Sequence, residues 1–199
     1  MSNTIVRNRM ISAVWPKQKN LFHQVLLVLL GSLLIAAGAQ INIPLNPVPI
    51  TLQTFAVMLV GCLYGSRLGV AAVALYLFEG AMGLPVYAQW HFGLATLFGP
   101  TGGYLWGFLP AVFLSGFLLE RGWAKHIITA GLAALLGDAC ILFLGVLMLA
   151  NFIGLSPAVQ FGLLPFVLVE IVKLLILAVI IPHCWKIKRV LRCTFGIYN

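Results

Sequence analysis

Long apolar runs separated by short polar breaks dominate this chain, and lysine and arginine all but avoid the runs. A run of about 20 apolar residues is what a helix needs to cross the hydrocarbon core of a bilayer. Six segments are read as crossings, the second of them short: Leu21–Ile41, Ile50–Tyr64, Leu68–Gly83, Gly102–Leu119, Ile127–Ala150 and Phe161–Trp185. The second and third are separated only by the hinge Gly65-Ser66-Arg67, and the fourth stops at Glu120-Arg121-Gly122. With six crossings, both termini and the connections after the second and fourth spans share one side. That side carries every lysine and arginine but Lys173, whereas Asn42–Pro49, Leu84–Pro100 and Asn151–Gln160 carry none. Basic residues mark cytoplasmic loops. The pattern therefore predicts an all-α integral membrane protein of six transmembrane helices, with both termini cytoplasmic and lid loops on the extracytoplasmic face. Its expected divisions are a basic cytoplasmic segment, 1–20, a six-helix domain, 21–185, and a basic cytoplasmic tail, 186–199.

Composition excludes several function classes. Only 8% of the 199 residues are charged and 62% are hydrophobic, against about a quarter charged in a soluble domain. The net charge of +8 would suggest nucleic acid in a soluble protein. Here it anchors loops against a lipid bilayer, and no nucleic-acid partner is expected. The first 20 residues are polar and basic, unlike a cleaved signal peptide. There is no G-x-x-x-x-G-K-[ST] phosphate loop, no G-x-S-G and no H-E-x-x-H, so ATP hydrolysis by a phosphate loop and the common intramembrane hydrolases are not indicated. Cys62, Cys140, Cys184 and Cys193 follow no metal-ligand spacing. His91 has no second ligand at a suitable distance in sequence, so it is expected to be a polar loop residue and no metal site is expected.

The one basic residue outside the cytoplasmic set lies in "FVLVEIVKLLILAV". Lys173 is about 15 Å from the outer end of the sixth span at 1.5 Å per residue, and a central lysine costs about 2.5–3.5 kcal/mol on insertion scales. Glu170 is three residues earlier, on the same helix face. The two can neutralise each other and should face the bundle interior, either as an internal ion pair that holds helices together or as an ammonium and an acceptor for a ligand. Asp138 and Glu79 have no obvious partner on their own helices. Asp138 reads as an acid bonded to a neighbouring helix or as a ligand or proton group, and Glu79 as a group near water.

Two stretches read as cover for such a site. "INIPLNPVPITLQT" is too rich in proline for a helix and delivers Thr51, Gln53 and Thr54 to the mouth of the second span. "PVYAQWHFGLATLFGP" is uncharged and aromatic, costly to expose, and reads as a lid contributing Gln89 and Trp90, or as a loop lying on the membrane surface. "GPTGGYLWGF" closes it: Gly102 and Gly103 are expected to leave backbone room for a ligand, and Tyr104 to form a wall of its pocket.

"PLNPVPITLQTFAVMLVG", "GLPVYA", "GPTGGYLWGF" and the late E-x-x-K together resemble the BioY family, the biotin-binding S components of energy-coupling factor (ECF) transporters, along nearly the whole chain. The resemblance implies a six-helix subunit of the bacterial cytoplasmic (inner) membrane that captures biotin as transported ligand, with no cofactor and no catalysis of its own. It also implies docking on a membrane coupling protein driven by two ATPases. The family's acid-x-x-Lys motif falls on Glu170 and Lys173, which the resemblance assigns to the polar groups of the ligand. Its Ala-x-x-x-Ala docking face is represented only by Ser32-x-x-x-Ala36, and "QWHFGLATL" is bulkier than the glycine-rich stretch the resemblance implies. The alternatives are a different vitamin on the same scaffold, a stand-alone biotin transporter, an intramembrane enzyme and a passive channel.

Overall fold

A computed structural model describes residues 21–194, with side chains through His183; the expected basic segment 1–20 and the side chains of the expected tail lie outside that range. Among the described residues the regular elements are helices apart from one two-stranded ribbon. Helix α1 is Leu21–Gln40. Strands β1 (Asn42–Ile43) and β2 (Ile50–Thr51) follow and pair antiparallel, Asn42 opposite Thr51. Then come α2 (Gln53–Ala81), a short α3 (Leu94–Leu97), α4 (Gly102–Glu120), α5 (Ile127–Ile153), a short α6 (Leu155–Gly162) and α7 (Leu164–Thr194). Among the described residues, five helical stretches are long and apolar enough to cross a membrane: Leu21–Gln40, Gln53–Ala81, Gly102–Glu120, Ile127–Ile153 and Leu155–His183.

The expected second and third spans are the two arms of α2. The helix breaks at Gly65, whose φ of 78° and ψ of −179° lie in a region that is essentially glycine's alone. The chain folds back there. Gln53 Nε2 donates to the Tyr76 hydroxyl at 2.9 Å, although a straight helix would set these residues about 35 Å apart. At the fold, the Glu120 carboxylate accepts hydrogen bonds from the Ser66 amide at 3.2 Å and the Ser66 hydroxyl at 3.0 Å, placing an anion at the start of the returning arm.

Elsewhere the sequence boundaries shift at the polar breaks. The proline-rich stretch is extended, as its composition demands, but it includes Ile50 and Thr51, which had been assigned to the second span. The expected loop 151–160 is largely helical: α5 runs to Ile153, Gly154 turns the chain with a φ of 86°, and α6 follows at once. The last helix continues to Thr194, past the boundary expected at 185.

With lipid as solvent, helix association relies on close packing rather than on hydrophobic burial, and small residues make that possible. The α4–α5 seam shows it directly. A Cβ added to Gly103 would lie 2.3 Å from the Leu144 carbonyl oxygen, and one added to Gly107 would lie 2.8 Å from the Ile141 Cα. Gly102 is equally closed, 2.0 Å from the Leu97 carbonyl oxygen. Gly102 and Gly103 therefore leave room for neighbouring backbone, not for a ligand.

Helix α1 supplies a second correction. Ser32 is fully buried and its hydroxyl donates to Glu79 across to α2, so it does not present a docking face, and Glu79 does not simply meet water. A hydroxyl at membrane depth needs a partner, and the nearest strong acceptor turns it inward. Ala36 is partly buried on the same helix.

Candidate functional site

Three segments converge at one end of the bundle: the ribbon 42–51, the connection 82–101, and the turn around α6. Side chains pin the connection and the turn around α6 by bonding backbone carbonyls. The Tyr76 hydroxyl donates to the Val86 carbonyl at 3.1 Å. The Tyr87 hydroxyl donates to the Leu77 carbonyl at 2.7 Å, and Gln40 Nε2 donates to the Tyr87 carbonyl at 3.0 Å. The Tyr87 ring is almost wholly buried over Gly80, where any Cβ would strike it, and burial pushes its hydroxyl up to about 12. The Tyr104 hydroxyl donates to the Gly162 carbonyl at 2.8 Å and its ring stacks on Phe166, centroids 5.9 Å apart. Gln89 and Trp90 both adopt left-handed backbone, φ 57° and 62°, a conformation costly for residues with a Cβ.

The ribbon and the connection, with α2, α4, α5 and α7, enclose a cavity of about 160 Å³. Its apolar lining is aromatic and aliphatic, from Tyr104, Leu105, Phe108, Leu142 and Phe166; its polar lining includes Thr51, Gln53, Thr54, Gln89 and Glu170. A mostly apolar cleft with a few placed polar groups is the usual form of a small-molecule site.

The polar side rests on a buried cluster. Lys173 Nζ donates to Glu170 Oε1 at 2.7 Å, to the Thr51 carbonyl oxygen at 2.7 Å and to Thr54 Oγ1 at 2.9 Å. The Thr54 hydroxyl in turn donates to the Glu170 carboxylate at 2.9 Å. Thr51 can serve because it precedes the α2 cap at Leu52, whose carbonyl is the first to accept from within the helix, so the Thr51 carbonyl lies outside the α2 ladder. An ammonium has three donors, and all three are engaged. Glu170 and Lys173 are only 4% and 6% exposed, and the pair is tolerable at this depth because the two charges meet directly and every ammonium proton has an acceptor.

The expected site residues divide accordingly. Thr51, Gln53, Gln89, Tyr104 and Glu170 line the cavity, and Lys173 stands immediately behind Glu170. Trp90 is 66% exposed and points away, while Gly102 and Gly103 are absorbed in packing. Thr54, placed by the sequence at the mouth of the second span, is on the wall, as are Thr101, Phe108 and Phe166, which were not among the expected contacts. Phe108 and Phe166 each lie one helical turn from an expected residue, Tyr104 and Glu170, and the 3.6-residue period was the signal for both. His91 stands at the cavity rather than only in the loop, and among the described residues no group of three metal-ligating side chains forms. Asp138 is buried on α5 and meets the Glu170 carboxyl, with Lys173 also in range.

The model of the BioY family matches residues 10–190. The chain is 41% identical over 150 residues to "Probable biotin transporter BioY" of Pyrococcus horikoshii, covering 75% of this chain and 88% of that one. It is 41% identical over 158 residues to "Biotin transporter BioY" of Thermotoga maritima, covering 78% and 91%. Its fold superposes on the crystal structure of the S-component for biotin from an ECF-type ABC transporter with a TM-score of 0.76 and 27% identity, covering 85% of this chain and 93% of the other. A family match over most of the sequence, from the first span into the last, agrees with that superposition: the chain belongs to the BioY family.

Proposed function

We propose that this protein is a biotin-capturing membrane subunit for vitamin uptake, an S component that binds its ligand and catalyses no reaction. The observation that carries the reading is the Lys173–Glu170 pair, buried against a half-apolar cavity in a chain of this family. Biotin presents a carboxylate, a ureido group and an apolar ring and chain. Lys173 and Thr54 suit the first of the two polar groups, Glu170 accepts N–H donors, and Tyr104, Phe108 and Phe166 suit the apolar body. Gln53, Gln89 and Thr51 complete the polar lining.

In this reading the bundle makes six passes of a bacterial cytoplasmic membrane, the two arms of α2 each counting once. The ribbon 42–51 and the connection 82–101 form the lid on the extracytoplasmic face, and both termini are cytoplasmic, as the segregation of lysine and arginine supports. The division into a basic segment 1–20, a membrane domain 21–185 and a basic tail 186–199 belongs to the same proposal. Lacking a phosphate loop of its own, the subunit works with an ECF coupling protein and its two ATPases.

Purified protein heated with a panel of vitamins tests the ligand. Biotin at about 100 times its Kd should stabilise the fold by about 2.7 kcal/mol, with no comparable shift from other vitamins. Stabilisation by a different vitamin and not by biotin overturns the assignment. Uptake of labelled biotin in cells with and without the coupling protein and ATPases tests the partners.

A further inference from the structure

The cluster beneath the cavity contains two acids for one base. Glu170 and Lys173 come from α7, and Asp138 comes from α5, 3% exposed, with its Oδ1 lacking a hydrogen-bond partner among the described residues. The Glu170 carboxyl and the Lys173 ammonium face Asp138 from α7. Glu170 and Lys173 are the charged groups that bear on Asp138, while Met58 from α2 and the Ala111 carbonyl from α4 close on the adjacent Gly137.

All three N–H groups of Lys173 are engaged before any ligand arrives. A ligand carboxylate can reach Lys173 only by displacing one acceptor. The Thr51 acceptor is backbone held by the ribbon, and Thr54 is a neutral hydroxyl itself tied to Glu170; the partner that an incoming carboxylate replaces like for like is the Glu170 side chain. Once displaced, Glu170 loses its cation while still facing Asp138, and two carboxyl groups that share one dry site cannot both be ionised without a large penalty. A proton between them resolves this: one acid becomes a donor and the other accepts from it.

We propose that Asp138 is a third functional member of the ligand site, and that the Asp138–Glu170 pair takes up a proton from solvent when an anionic ligand group replaces Glu170 on Lys173. No bond other than the O–H forms, and the proton leaves again when the ligand does. Ligand capture is thereby linked to pH, tighter as pH falls. Asp138 acts as a positioning residue, through Glu170, and need not touch the ligand. This rests on the biotin reading above.

Calorimetric titration of the full-length protein with biotin, repeated in buffers of different ionisation enthalpy, counts the protons exchanged on binding. Wild-type protein should take up between about half and one proton per biotin. Asp138→Asn places a permanent N–H donor against Glu170, so it should keep biotin binding within about tenfold and reduce proton uptake to near zero. Asp138→Leu removes the donor as well and should weaken binding further. Neutral biotin methyl ester should bind wild-type protein with no proton uptake. Biotin binding without proton exchange in the wild type, or with uptake unchanged in Asp138→Asn, overturns the inference and leaves the biotin reading intact. No biotin binding at all overturns the reading on which it rests. If Asp138→Asn fails to fold, the wild-type proton count with biotin against its methyl ester decides the question alone.

Discussion

Replacing Lys173 with methionine separates what the buried pair does for the fold from what it does for the ligand. Methionine keeps the unbranched stem and removes the ammonium with its three hydrogen bonds. Glu170, 4% exposed, is then left without its counter-ion, and removing one partner of a buried pair costs about 3–5 kcal/mol. Adding Glu170→Gln removes the stranded charge. Replacing both members of such a pair is often close to neutral, so Lys173→Met with Glu170→Gln should restore most of the lost stability. Affinity should not return with it. A hydrogen bond from a charged donor is worth about 1.5–3 kcal/mol, and each 1.4 kcal/mol is tenfold in Kd. Loss of the ammonium alone should therefore weaken biotin binding by about 10- to 150-fold in the double variant. Thermal unfolding in detergent reads the first effect and calorimetric titration with biotin the second. A double variant that binds biotin as wild type does would refute the assignment of Lys173 to the ligand, and a single variant as stable as wild type would refute the account of the pair.

Gly145→Ala puts a methyl 2.3 Å from the Tyr104 ring; overpacking of this kind should cost about 1–3 kcal/mol and also reduce stabilisation by biotin, because the displaced ring is a wall of the cavity. Gly65→Ala forces a side chain into a glycine-only conformation at about 1–3 kcal/mol, lowering the unfolding temperature while leaving biotin affinity within a few-fold at temperatures where the variant is folded. The Tyr87 hydroxyl, ordinarily near pH 10, is held up to about 12 by burial. Its neutral form is favoured in the fold, so its contribution is complete below pH 10 and lost as pH rises through about 12; wild-type stability should fall more steeply across that window than that of Tyr87→Phe.

The apolar runs were legible because lipid imposes a length and charge imposes a side, and neither depends on tertiary contacts. The Glu170–Lys173 pair was legible for the same reason: two charges one turn apart in an apolar helix have few places to go. Partners on other helices were harder to read. Nothing in "LLGDACILF" says that Asp138 meets Glu170, and nothing in "SLLIA" says that Ser32 reaches Glu79. Glycine was the most misleading residue. In a membrane bundle a missing Cβ admits a ligand or neighbouring backbone equally well, and at Gly102 and Gly103 the carbonyl oxygens of Leu97 and Leu144 fill the space. Trp90 followed the same logic in reverse: a large aromatic beside a pocket-lining residue invites assignment to the pocket, but the turn at Gln89 directs it out.

The break at Gly65 also sets a depth. The first arm of α2, residues 53–64, is about 18 Å long at 1.5 Å per residue, against a hydrocarbon core of about 30 Å. In the proposed six-pass arrangement the ribbon and the turn of residues 41–52 would make up the remaining thickness, backbone that could not survive against lipid and would persist there by bordering a cavity within the protein. The proposed ligand chamber would then be the unfilled remainder of a shortened crossing. Lengthening that arm by one turn would not carry it further toward water; it would drive helix into the space where the ligand belongs.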